Sequence, residues 1–193
     1  QWLVDEACTQ LTAWRAAGLV VPHVALNLSG RSFHQKGFAQ SISATLLQHG
    51  LSAQDLMLEI TERVVMDGRT VTQENIEQLS QQGFKLSLDD FGTGYSSLSY
   101  LHRLPISELK LDMAFVRDLT SSSTARALTV SVLSIAHSLE MVVVAEGVET
   151  AAQHAILQEM GCDYCQGYLF GRPTAASDVP GLALPGFALR AGS

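Results

Sequence analysis

The sequence predicts an α/β fold in which a parallel sheet curls as in a (β/α)8, TIM-like barrel. Two observations predict it. Short apolar runs of β-character alternate with longer helix-patterned segments, as βαβ units require. Almost every one of those runs also ends in a polar residue, as strands do whose ends converge on the mouth of a barrel.

The elements follow in order. Trp2, Leu3, Leu11 and Trp14 read as one face of an amphipathic helix. Strands are expected at about 23–28, 56–60, 84–88, 109–111, 141–145 and 164–170, and helices at about 38–49, 70–82, 123–139 and 151–160. Gly50, Gly83 and Gly161 stand where three of the helices should stop. The run Val142-Val143-Val144 reads as a strand buried on both faces. From about residue 175 the chain turns rich in Ala, Gly, Leu and Pro, which suggests a short helix followed by a frayed tail. Residues 1–193 therefore read as one domain with that tail.

Bulk properties narrow the class. A hydrophobic fraction of 47% is ample for a core, and a net charge of −7 argues against a surface that binds DNA or RNA polymers. No run is long enough to span a membrane and no secretory signal precedes the first helix, so no membrane contact is expected. The three cysteines, Cys8, Cys162 and Cys165, form no disulfide framework and suit a reducing compartment. The Cys162-x-x-Cys165 pair lacks a second pair to complete a zinc site, and reads as two small buried core residues.

The segment Leu-Ser-Leu-Asp-Asp-Phe-Gly-Thr-Gly-Tyr-Ser-Ser, residues 86–97, carries the most chemistry. A strand ends there in adjacent carboxylates, Asp89 and Asp90, followed by Gly92 and Gly94. Adjacent acids at a buried strand end repel each other and lose hydration; a chain keeps such a pair most readily when a cation neutralises it, and oxygen donors suit Mg²⁺, Mn²⁺ or Ca²⁺. The other predicted strands end similarly: Asn27; Glu59 and Glu62; Lys110 and Asp112; Glu146 and Glu149; Gln166. Asn27, Glu59 and Asp89 are hard oxygen ligands, and Asp90 is placed for a second ion. Lys110 suits a phosphate oxygen or an attacking water, and Glu146 suits the proton of that water. Plainer readings stand beside these. Asn27 suits backbone groups at a strand end, Lys110 a neighbouring acid, Glu62 and Glu149 a helix start, and Asp112 a helix cap. The acid pair also suits a solvated loop start, and Gln166 alone carries little.

In order, these motifs closely resemble the EAL-domain family of bacterial cyclic di-GMP phosphodiesterases. The stretches that carry the likeness are Asn-Leu-Ser (27–29), Glu-Ile-Thr-Glu (59–62) and Asp-Asp-Phe-Gly-Thr-Gly-Tyr-Ser-Ser-Leu (89–98). Leu-Lys-Leu-Asp (109–112), Ala-Glu-Gly-Val-Glu (145–149) and Gln-Gly-Tyr (166–168) complete the set. The resemblance implies a barrel that binds cyclic di-GMP at its mouth and cleaves one phosphodiester bond to give linear pGpG. It implies two Mg²⁺ or Mn²⁺ ions, with Ca²⁺ inhibitory. Asn27, Glu59 and Asp89 would be direct metal ligands, with Asp90 at the second metal and Glu149 supporting the metals through water. Lys110 and Glu146 would act on the attacking water, Glu146 as general base. Gln166 and Asp112 would face the substrate, and Glu62 would anchor the loop after Asp90. A homodimer, further signalling domains in a longer parent protein and a cytoplasmic location are also implied.

The match departs from the family at one place. The Glu-Ala-Leu segment of the first strand, whose Glu is another metal ligand, does not appear, and the chain starts in the helix expected after that strand. The difference is about one βα unit, roughly 30 residues. Three functions are therefore weighed: the phosphodiesterase, a non-catalytic cyclic di-GMP receptor, and a different metal-dependent barrel enzyme such as an isomerase or aldolase. The intact acids favour the first.

Overall fold

The computed structural model of the chain describes residues 2–92 and 101–181. Among the described residues, six parallel strands form one sheet in the order of the chain: β1 (Val24–Asn27), β2 (Leu56–Thr61), β3 (Lys85–Phe91), β4 (Glu108–Leu111), β5 (Val142–Ala145) and β6 (Tyr164–Cys165). An order without reversal means that every crossover moves the same way. Right-handed crossovers of that kind put all the helices on one side, and the sheet curls around its other face as a segment of a barrel. Strands β1 and β6 are its two edges.

The helices α1 (Trp2–Ala16), α2 (Gly30–Phe33), α3 (Phe38–Gln48), α4 (Glu62–Val65), α5 (Thr70–Gln81), α6 (Met113–Arg117), α7 (Ser123–Ser138) and α8 (Ala151–Glu159) accompany the strands. Alternation along each strand sends one set of side chains outward to these helices. Leu56, Leu58, Ile60, Leu86, Leu88, Leu109, Leu111, Val143 and Ala145 form that outer set. They pack with Ile42 and Leu46 of α3, Ile76 and Leu79 of α5, Leu133 of α7 and Leu157 of α8 in one apolar cluster. The helix stops fall at the expected glycines: Leu51, Phe84 and Cys162, each just past one, donate back to Leu46, Leu79 and Leu157. No helix among the described residues is long and apolar enough to cross a membrane.

Four expectations shift. In α1 the buried face is Val4, Ala7, Cys8 and Leu11, at helical spacing, while Trp2 is 75% exposed and the Trp14 indole donates to the Ala176 carbonyl. Val143 is buried, but Val142 and Val144 are half-buried, because they face the hollow side of an open sheet. Strand β6 covers two residues rather than seven: after Gln166 pairs with Ala145 and Val148, the chain closes a turn in which Phe170 N–H donates to Gly167. Finally, Cys162 and Cys165 flank the core half-buried rather than filling it. In the C-terminal stretch, a 3-10 helix runs over Ala176–Gly181 and the tail beyond it lies outside the described residues.

Candidate active site

Toward the carboxyl ends of the same strands the inward set turns polar. Glu59 on β2, Ser87 and Asp89 on β3 and Lys110 on β4 all project to the hollow face and are buried. Register aligns them: Asn27 pairs with Glu59, Glu59 with Ser87 and Thr61 with Asp89. Glu146 follows β5 directly, its N–H held by the Leu111 carbonyl at 3.0 Å.

Lys110 is the centre. Its Nζ lies 2.7 Å from Glu146 Oε1, 3.0 Å from Glu59 Oε2 and 3.4 Å from Asp89 Oδ1. Three carboxylates from three other strand ends thus share one buried ammonium. Burial by itself would lower the lysine pKa. The hydrogen bond to Glu146 and the charges of Glu59 and Glu146 outweigh it and hold the ammonium well above the ordinary lysine range. Burial pushes the Glu146 carboxyl up; Lys110 draws it down, Asp89 and Glu59 push it up again, and the net displacement is upward. A carboxylate raised in this way is a stronger base than one in water.

Adjacent residues on a strand point to opposite faces, so Asp89 and Asp90 should not serve one site. A β-bulge resolves this. Leu88 pairs with Leu109 but Phe91 pairs with Leu111, which leaves an extra residue on β3 at the acid pair. Asp90 takes a left-handed conformation, φ 57°, and its N–H donates to Asp89 Oδ1 at 3.0 Å. Leu88 and Phe91 both stay in the core, while Asp90 comes within electrostatic range of Asp89, Asp112 and Lys110. Burial first, then the charges of Asp89 and Asp112, raise the Asp90 pKa. The acids are therefore inside the strand rather than beyond its end, as the sequence had suggested.

Two loops at this rim are moulded on α6. Gly92 has φ 95°, and a Cβ there would lie 2.3 Å from the Phe115 ring; Gly147, next to Glu146, has φ 69°, and its Cβ would lie 2.5 Å from Met113 Cβ. Asp112 caps the same helix, accepting the Ala114 N–H at 2.8 Å. It therefore performs the capping role, and its charge also reaches Asp90.

The remaining expected residues ring this cluster. Asn27 is exposed at the end of β1 beside Glu59. Glu62 opens α4. Glu149 is exposed, with its N–H donating to Gln153 Oε1 in the capping box of α8. Gln166 is exposed past β6, with its N–H on the Ala145 carbonyl at 2.8 Å. Gly94 and the rest of 93–98 lie outside the described residues. Sequence reasoning passed over Ser87, Met113 and Phe115. Alternation two residues before Asp89 marks Ser87 as inward-facing, and its fully buried Oγ has no hydrogen-bond partner among the described residues. Only the packing reveals the other two.

The donors fit a divalent cation by chemistry: Asn27, Glu59, Asp89 and Asp90 offer hard oxygens from neighbouring strand ends, and burial first, then like charges, raises the Asp90 pKa. Among the described residues no three His, Cys, Asp or Glu side chains form a ready-made metal cage. The cation among the acids is Lys110.

Comparison with known proteins adds to this geometry. The family model described as EAL domain matches residues 1–173. The chain is 42% identical over 179 residues to the bifunctional diguanylate cyclase/cyclic di-GMP phosphodiesterase MucR of Pseudomonas aeruginosa, covering 93% of this chain and 26% of MucR. It is 40% identical over 172 residues to the cyclic di-GMP phosphodiesterase NbdA of the same organism, covering 89% of this chain and 22% of NbdA. It thus spans about a quarter of these relatives. The solved MucR phosphodiesterase in complex with c-di-GMP superposes with a TM-score of 0.85 at 42% identity, over 92% of this chain and 72% of that one. Klebsiella pneumoniae BlrP1, in a manganese/cy-diGMP complex, superposes with a TM-score of 0.80 at 32% identity, over 90% and 44% of the two chains. A calcium/cy-diGMP complex of BlrP1 is equally similar, at 0.80.

Proposed function

The chain belongs to the EAL domain family, and we propose that it is a metal-dependent phosphodiesterase domain that hydrolyses cyclic di-GMP to linear pGpG. The observation that carries this reading is the Lys110 ammonium, buried between Glu59, Asp89 and Glu146 at the rim of the barrel segment. The relatives named as cyclic di-GMP phosphodiesterases support the substrate.

In this reading Asn27, Glu59, Asp89 and Asp90 hold two Mg²⁺ or Mn²⁺ ions, and Glu149 supports them through water. When bound, the ions neutralise the phosphodiester and lower the pKa of a water. Manganese in the BlrP1 complex supports that choice of metal. Ca²⁺ is expected to occupy the site without supporting turnover, because its loose coordination positions ligands less strictly than Mg²⁺.

The chain's own groups handle the proton and the phosphate. Glu146, raised by burial and bonded to Lys110, accepts the proton of the water that attacks phosphorus. Lys110, kept charged by Glu146 and Glu59, directs its N–H groups at that water or a phosphate oxygen. The bond from phosphorus to the 3′ oxygen breaks, leaving a 5′-phosphate on one nucleotide and a 3′ hydroxyl on the other. Gln166 and Asp112 line the substrate side, and Glu62 anchors the loop after Asp90. A homodimer and further signalling domains in a longer parent protein belong to the same proposal.

The test is chromatography for pGpG after incubation of cyclic di-GMP with this chain and with a form extended upstream by one βα unit. Each is run with Mg²⁺, Mn²⁺, Ca²⁺ or chelator. Metal-dependent pGpG that Glu146→Gln abolishes is the expected result. Ligand binding without product from either form would overturn the enzyme and leave a receptor.

A further inference from the structure

The inner face of the sheet carries one polar group that the chemistry above does not use. Ser87 of β3 is fully buried, and its Oγ has no hydrogen-bond partner among the described residues. Buried hydroxyls are nearly always bonded, because leaving one unpaired destabilises a protein more than pairing it gains. If only volume mattered at this position, alanine would fill it without that cost.

The strand register defines what surrounds the hydroxyl. Ser87 stands level with Glu59 on β2 and with Glu108 on β4. Asp89 and Lys110, each two residues further along its strand, lie one side-chain layer nearer the rim. Glu59 and Lys110 are not on neighbouring strands, since β3 runs between β2 and β4. Their backbones are therefore roughly 10 Å apart, yet Lys110 Nζ reaches Glu59 Oε2 at 3.0 Å. That contact crosses β3 between the layers of Ser87 and Asp89, and Ser87 is the floor beneath it. A bulky side chain at 87 would push into the contact; serine stays clear of it and adds a donor. Of the two acids level with it, Glu108 is half-buried and open to water. Glu59 is only 6% exposed and depends on the protein for its donors.

We propose that Ser87 is a positioning residue for Glu59, its hydroxyl donating to the Glu59 carboxylate when that carboxylate ligates a divalent cation. An ion draws on the same carboxylate that bonds Lys110, and a turn about the Ser87 χ1 brings the hydroxyl to it. A ligating carboxylate held by such a donor keeps its oxygens aimed at the metal, and loss of the donor costs about 10–100-fold in metal affinity. This role rests on the metal-dependent reading of the site, but it concerns ion binding rather than hydrolysis and can fail separately.

The experiment is Mn²⁺ binding, followed by the electron paramagnetic resonance of the free ion, on this chain and on its upstream-extended form. Wild type, Ser87→Ala and Ser87→Thr are compared, with urea unfolding of each in chelator. Ser87→Ala is expected to bind Mn²⁺ about 10-fold or more weakly, while its unfolding midpoint in chelator is no lower than that of wild type. Ser87→Thr, which keeps the hydroxyl, is expected to recover most of the lost affinity. Equal affinity in wild type and Ser87→Ala would overturn the proposal. So would a midpoint that falls together with the affinity, which marks a packing role, or a folded Ser87→Thr that binds no better than Ser87→Ala. Formation of pGpG is read in parallel. Mn²⁺ binding that depends on Ser87, with no pGpG from wild type, would keep the positioning role and overturn the phosphodiesterase; wild type that binds no Mn²⁺ would overturn both.

Discussion

The two faces of the sheet are made by alternate residues of the same strands, yet they do opposite work. On β2 to β4 the outward set is Leu58, Ile60, Leu86, Leu88, Leu109 and Leu111, each at most 1% exposed. The inward set on those strands includes Glu59, Ser87, Asp89 and Lys110, each at most 9% exposed. Burial is nearly equal, and only the chemistry differs. Apolar burial on the outer face stabilises the chain by roughly 1.5–3 kcal/mol per large side chain. Charge burial on the inner face costs desolvation, offset by one shared ammonium. Apolar stability is therefore concentrated on one face and the charged cluster on the other, one residue apart.

This division can be tested from either side, and the largest separation is expected from Glu146→Gln. It is isosteric and only half-buried, so thermal unfolding should hardly change, while pGpG formation by the extended form falls about 10²–10⁴-fold. Loss of fold together with activity would show that the inner face also carries stability. Lys110→Met leaves Glu59, Asp89 and Glu146 around no cation, and about 3–5 kcal/mol of stability should be lost in urea titrations with chelator at neutral pH.

The same lysine sets a pH dependence. Its pKa is raised in the folded chain, so above about pH 10.5 the unfolded lysine loses its proton while the folded one keeps it. The folded state then binds more protons, and stability falls as pH rises through that range; it is fully present below it. Lys110→Met should abolish this alkaline loss, which urea midpoints from pH 8 upward would read.

On the outer face, Leu86→Ala should cost about 2–5 kcal/mol by chemical denaturation. Substrate turnover per folded molecule should stay near wild type. A Leu86→Ala protein that folds but does not turn over would collapse the distinction between the faces. The smallest effect concerns neither face: Thr150→Ala removes the acceptor of the Gln153 N–H in the α8 capping box, and about 1 kcal/mol should be lost in thermal unfolding.

Much of the candidate cluster was legible because strand ends in a parallel sheet all point one way, so the polar residue closing each run reports position as well as chemistry. Asn27, Glu59, Asp89, Lys110 and Glu146 were found on that basis, and the structure brings the last four into direct contact. Asp112 had two readings, and only the structure shows its bond to Ala114. The extent of β6 misled, because Leu169 and Phe170 continue an apolar run that the turn after Gln166 takes out of the sheet. Local pattern carries no signal for where a partner strand stops.

By itself the sequence determined the alternation of elements, the sequential parallel order it implies and the family, since these depend on periodicity and on residues in a set order along the chain. Only the tertiary structure decided how Asp90 comes within electrostatic range of Lys110 and Asp112 while Leu88 and Phe91 both stay in the core, through a bulge that exists because β3 pairs unevenly with β4. It alone decided that Phe115 and Met113 leave no room for a side chain at Gly92 and Gly147, and that one ammonium holds three acids. The physical reason is the same in each case. Periodicity is a property of neighbours in the chain, whereas register, steric exclusion and shared charge arise between residues far apart in it.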